Sequence, residues 1–148
     1  MDCDMIVRCD IAEILEECDL FHDVFVVKHD YMPKGGTKFL GNKQHVYPKK
    51  NWSSVMLFNC FTSSCKRLTP EVVNESSGKF LHQFEWCDGL RVGELSNKWN
   101  HLVGEYAPSD EAAIVHYTLG TPCFRGYDKQ EYAKEWFNEL ESLTHADQ

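Results

Sequence analysis

Apolar residues in this chain come in short blocks rather than long stripes. "MIV" after the opening "DCD", "DVFVVK" (23–28), "SSVMLFN" (53–59) and "AAIVHYT" (112–118) are rich in β-branched and aromatic residues and bounded by polar or turn residues. Blocks of that length and composition predict strands. Because their apolar residues do not alternate with polar ones, they predict strands buried on both faces. Helical signals are fewer. "DIAEILEEC" (10–18) reads as a helix with Asp10 as N-cap and Glu13 at the capping-box position. Thr69-Pro70 opens a short helix through about Asn74. From Lys129 to Leu143, Tyr132, Trp136, Leu140 and Leu143 recur at helical spacing, which predicts an amphipathic C-terminal helix with those four facing the core. The order is mixed α/β, with helices flanking a mixed sheet, and 148 residues make one domain.

Charge narrows the partners. A formal charge of −8 argues against general nucleic-acid binding through phosphate neutralisation. The basic residues are unevenly placed: the turn-rich stretch from Lys28 to Lys50 holds six of the fifteen and one acid, Asp30. A loop of that length and charge is either a solvated surface or a cover for an anionic substrate such as a diphosphate. Its "KGGTK" lacks P-loop spacing. Seven cysteines at irregular spacing, with no CxxC pair, read as reduced thiols in a cytoplasmic protein. The acidic N-terminus does not resemble a signal peptide, and no apolar run is long enough to span a bilayer.

Candidate chemistry begins with Asp2 and Asp4. Residues i and i+2 of an extended segment project to the same side, so the two carboxylates suit a hard cation such as Mn²⁺ or Mg²⁺. Solvated acids at a frayed terminus are the competing reading. An EF-hand is excluded, because Ile6 and Val7 stand where its loop needs an oxygen ligand and a glycine. His116, at the end of an apolar strand and followed by "YTLGTP", is either a metal ligand that favours Mn²⁺ or a core histidine bonded to backbone. Trp52, Trp86 and Trp99 lie among polar residues and suit sugar rings, or else belong to an ordinary core. Serine and cysteine nucleophile signatures are missing.

Together these segments resemble nucleotide-sugar glycosyltransferases of the GT-A fold, in particular family 8 and its bacterial relatives. "DCDMIVRCDIAEI" is similar to their Asp-x-Asp region, "WSSVMLFN" to the strand that follows, and "IVHYTLGTPCF" to their late histidine–glycine–proline motif. The resemblance implies the C-terminal part of a Rossmann-like GT-A domain, with a metal held by Asp2, Asp4 and His116. It implies Gly120 and Thr121 beside a donor diphosphate, Ser53 and Ser54 near donor or acceptor hydroxyls, and Asp88 near the transferred sugar. The partners would be a nucleoside-diphosphate sugar and a glycan or other hydroxyl acceptor. Two departures accompany it. Thr121 stands where the family carries a phosphate-binding lysine, which leaves that charge to Arg125 or the lysine-rich loop. The Rossmann-like half that precedes Asp-x-Asp in the family has no counterpart before Asp2, which leads us to expect a truncated chain first, or else a partner that supplies the first half or a decayed fold, with exposed sheet edges and marginal stability. The alternatives are a non-catalytic carbohydrate-binding or scaffold remnant and, more remotely, a small metal-dependent hydrolase.

Overall fold

The computed structural model describes residues 1–31, 36–43 and 45–145. Among these residues, six strands divide into two three-stranded sheets. In the first, β1 (Met5–Val7) runs antiparallel to β6 (Ile114–His116), and β5 (His101–Leu102) runs parallel to β6 on its other side. In the second, β2 (Val24–Val27) lies between antiparallel β3 (Met56–Phe58) and parallel β4 (Val92–Leu95). The expected mixed sheet with flanking helices is present in this coarse sense, but as two small sheets rather than one Rossmann-like sheet.

Three apolar clusters hold the layers together. Phe25 and Val27 of β2, Leu95 of β4, Ile114 of β6 and the fully buried Trp99 pack with Ile14 between the two sheets. Val24, Val26 and Val92 cover the opposite face of the second sheet with Phe84 and Trp86. Those two aromatics follow a run of three short helices, α1 (Ser63–Lys66), α2 (Pro70–Glu75) and α3 (Gly78–His82). Ile6, Val103, Val115 and Tyr117 form the third cluster, against which Tyr132 and Trp136 pack. β2 is buried at all four residues, as its sequence predicts. β3 is an edge strand and only half-buried, unlike the fully buried strand expected of "VMLF".

The helices depart more from expectation. Residues Ile11–Glu17 form a 3₁₀ helix; its Asp10 cap accepts a bond from the Ala12 amide at 2.9 Å. Thr69 caps α2 as predicted, accepting from the Val72 amide. The C-terminal helix α4 spans Ala133–His145. Tyr132 lies outside it in a left-handed conformation (φ 57°), Trp136 docks, and Leu140 and Leu143 are exposed at 43% and 68%. Arg8 fastens the docked end: its guanidinium donates to both Glu135 carboxylate oxygens, at 2.7 and 3.3 Å. Only the first turns of α4 therefore meet the core, and the helix runs on past the sheet.

Candidate metal centre

The opening acids are not frayed. The Asp2 amide donates to the Ser54 carbonyl at 2.8 Å, and the Asp4 carbonyl accepts from the Tyr117 amide at 2.9 Å. Met5 pairs with His116 in the β1–β6 ladder. This register brings a carboxylate oxygen of Asp2, one of Asp4 and a ring nitrogen of His116 to within 4.8 Å of one another. His116 Nε2 lies 3.4 Å from Asp4 Oδ1 and 4.0 Å from Asp2 Oδ2.

The imidazole is fixed from behind. The Ser54 hydroxyl donates to the Asn51 carbonyl, so its oxygen is left to accept from Asn100 Nδ2 at 2.9 Å. Nδ2 also donates to the Asn51 carbonyl at 3.0 Å. Both amide hydrogens of Asn100 are thus engaged, and its Oδ1 is the atom that faces His116 Nδ1 at 3.0 Å. Nδ1 therefore carries the proton, and Nε2 is the nitrogen turned to the carboxylates. A hydrogen-bonded outer nitrogen that orients the inner one is the usual support of a metal-binding histidine. Two carboxylates and one such imidazole are a donor set that fits Mn²⁺ or Mg²⁺.

The two acids differ in character. When His116 carries a second proton on Nε2 and no metal is bound, its hydrogen bond is the main reason the Asp4 carboxyl is held below its ordinary range, and the charges of that ring and of Lys38 add to it against burial. Burial pushes Asp2 up, and the neighbouring Asp4 charge adds to that, against the opposing pull of His116. Around them stand groups that feel these charges. Burial and then Asp2 raise Tyr47. Burial and then the His116 charge depress His29 to about 4, so it is neutral near pH 7.

The other residues singled out by sequence take different places. Ser54 is buried and wholly engaged with Asn51 and Asn100, so it supports His116 from behind rather than facing a ligand. The Ser53 hydroxyl pairs with His82 Nδ1 at 2.8 Å, at the rim where the His82 charge reaches Asp2. Gly120 has both backbone groups in use, its amide donating to the Tyr117 carbonyl and its carbonyl accepting from Gln130 Nε2. Its φ of 147° excludes most side chains, and a Cβ there would meet Phe39 Cβ at 2.9 Å. Thr121 Oγ1 lies 2.9 Å from Cys123 Sγ.

Asp88 is not brought to the cluster. It caps the 3₁₀ turn Gly89–Arg91, accepting from the Leu90 amide at 2.9 Å. That turn leads into β4 where Val92 pairs with Val24, at the start of β2, whereas Ser54 leads into β3 where Met56 pairs with Val26, near its end. Trp99 and Trp86 are core residues; Trp99 donates to Glu17 Oε1 at 2.8 Å, so neither offers a face to a sugar. Trp52 is half-buried and donates to the His29 carbonyl.

The lysine-rich stretch is described in three pieces, and its Lys34 lies outside the described residues. Thr37 and Lys43 form an antiparallel bridge that closes a small hairpin. The hairpin docks on the turn after β6: the Phe39 amide donates to the Leu119 carbonyl at 3.0 Å, and the Phe39 ring stacks on Phe124 at 4.6 Å. Asn100 and Asn51 are the functional-site residues that sequence reasoning missed. All seven cysteines are free thiols, and no helix among the described residues is long and apolar enough to cross a membrane.

Comparison with known proteins corrects the family resemblance. No family model matches the chain, and no solved structure matches it. The chain is similar to the curated Protein CDI of Arabidopsis thaliana, with 41% identity over 149 residues that cover 97% of this chain. The match spans 58% of the length of that relative. Membership of the family 8 glycosyltransferases, and with it the GT-A assignment, is therefore withdrawn. The segments that suggested it are a few residues each. A strand end with acids and a histidine before a glycine turn can arise on any small sheet.

Proposed function

We propose that Asp2, Asp4 and His116 hold one divalent cation, Mn²⁺ or Mg²⁺, and that the chain uses it to transfer a sugar from a nucleoside-diphosphate sugar to a hydroxyl acceptor. The observation that carries this reading is the convergence of three ligand atoms within 4.8 Å, from segments more than a hundred residues apart in sequence. When bound, the ion would supply Lewis-acid charge for a departing diphosphate. The chain's own residues have separate tasks. Asn100 keeps Nε2 of His116 available by occupying Nδ1. The β1–β6 ladder fixes the spacing of Asp4 and His116. Lys38 adds positive charge beside Asp4.

A second reading, a carbohydrate-binding or scaffold domain without turnover, draws on one observation. Asp88, the acid expected near the transferred sugar, sits toward the other end of β2 from the cluster. Calorimetric titration with Mn²⁺ and a donor-turnover assay with a panel of nucleoside-diphosphate sugars test both. The first reading expects metal binding that is lost in Asp2→Ala, Asp4→Ala and His116→Ala, and metal-dependent release of the nucleoside diphosphate. Unchanged Mn²⁺ affinity in all three variants overturns the metal centre. Metal binding without turnover, together with glycan binding that survives a chelator, favours the second.

A further inference from the structure

Beside the acid–imidazole cluster lies a cavity of about 360 Å³ lined by two lysines, Lys49 and Lys50, one acid, Asp30, and His29, Tyr31 and Tyr47 among others. Tyr47 links the two, since it lines the cavity and feels the Asp2 charge. Lys50 is the unusual member. Its side chain belongs to a residue only 6% exposed, yet the hydrogen bond its ammonium makes goes to a neutral partner, the His45 carbonyl, at 2.8 Å. The ammonium also lies 5.9 Å from the centre of the Tyr47 ring.

Burying an ammonium against a neutral carbonyl and a phenol face is costly unless an anion completes its surroundings. A second cation makes the arrangement less favourable still. After burial itself, the charge of Lys38 is the strongest influence against protonation of Lys50, and it outweighs the opposing effect of Glu105. Lys38 also acts on Asp4, so its charge reaches both Lys50 and the cluster. In a chain of net charge −8, the charges of two lysines thus overlap in this region. His29, which lines the same cavity, has a buried Nε2 with no hydrogen-bond partner among the described residues, while its Nδ1 is engaged by the Tyr106 hydroxyl at 2.8 Å. Tyr31 adds a second phenol; its oxygen accepts from Asn51 Nδ2 at 2.8 Å.

We propose that this cavity is an anion site for a diphosphate group, gripped by Lys50, with the charge of Lys38 adding to its pull. The site deepens the sugar-transfer reading by stating where phosphate charge is met. It rests on that reading for the identity of the physiological ligand, but not for the binding of the anion itself. Lysine supplies a point charge suited to phosphate oxygens, and the flanking tyrosines offer phenol groups at the walls.

The test uses the full chain and pyrophosphate as probe, in the presence of a chelator so that no metal contributes. Isotope-labelled protein is titrated while the Lys50 side-chain signals and the backbone amides of residues 45–50 are followed by nuclear magnetic resonance. The expected result is saturable shifts with pyrophosphate bound at least tenfold more tightly than inorganic phosphate. Lys50→Met should weaken binding tenfold or more, Lys50→Arg should retain most of it, and Asp4→Asn should leave it intact or tighten it. A thermal melt controls for folding: Lys50→Met removes a buried charge and should melt no lower than the parent.

Three results overturn the proposal. One is shifts that do not saturate. Another is equal affinity in a folded Lys50→Met. The third is inorganic phosphate binding as tightly as pyrophosphate. The metal centre is judged separately by Mn²⁺ titration, so either site can fail while the other stands.

Discussion

Asn100 Oδ1 and His116 Nδ1 are 3.0 Å apart, and both residues are buried beneath the opening aspartates. That contact determines which nitrogen of His116 faces Asp2 and Asp4. It also joins the centre to the backbone of Asn51, through the second donor of the same amide. The centre therefore has a rigid floor made from three distant segments and a more open rim made from the acids.

The first prediction concerns that floor. Asn100→Ala leaves all three proposed ligands in place but frees the imidazole to rotate and to change tautomer. Loss of such an outer partner typically lowers metal affinity about 10–100-fold. Mn²⁺ calorimetry on the folded variant should show a loss of that size. The buried Ser54 hydroxyl, deprived of its donor, should lower stability by about 1–3 kcal/mol in denaturant titration.

The second concerns acid stability. His29 is buried beside Tyr31, Tyr106 and His116, and its imidazole is held neutral down to about pH 4. In the unfolded chain an ordinary histidine takes up its proton near pH 6.5. Between these values the unfolded state binds more protons, so stability rises with pH and is lost as pH falls from about 6.5 toward 4. Full depression over that interval corresponds to about 3 kcal/mol. Denaturant midpoints measured from pH 7 to pH 4 should show this acid slope in the parent. His29→Leu should flatten it, leaving the smaller contribution of His101, which burial also depresses.

The third prediction follows from the turn after β6. Gly120 faces Phe39 and Tyr127 so closely that a methyl group has no room, and its φ of 147° disfavours any side chain. Gly120→Ala should cost about 1–3 kcal/mol. It should also loosen the hairpin that Phe39 anchors, and with it Lys38. Thermal melts read the first effect. Weaker pyrophosphate binding, with Mn²⁺ affinity unchanged, reads the second.

Some of this was legible in the sequence and some was not, for identifiable reasons. β2 announced itself because each residue from Val24 to Val27 is apolar and each is buried. Asp2, Asp4 and His116 could be nominated because carboxylates two apart and a histidine at a strand end are visible patterns. β4 could not be seen, since "VGEL" carries a glycine and an acid in four residues. The glycine is required by packing: a Cβ at Gly93 would strike the Phe25 ring at 2.4 Å. Asn100 gave no signal, because a buried amide that bonds three ways follows no periodicity. Leu140 and Leu143 kept helical spacing, but spacing along a helix does not reveal where its supporting sheet ends. The family resemblance failed for a related reason: short anchors describe local geometry and say little about how sheets are joined.

The pairing of β1 with β6 also constrains how the protein is made. A ribosome delivers Asp2 and Asp4 more than a hundred residues before β6, the strand that pairs with β1, and before the imidazole that faces the two acids. Until then the second sheet and its aromatic cluster can assemble from residues already released, while the opening segment waits unpaired. Nascent chains stalled short of Ile114 would hold a formed β2–β3–β4 sheet and no centre at all, so the proposed cation site would close after that sheet rather than guide its assembly.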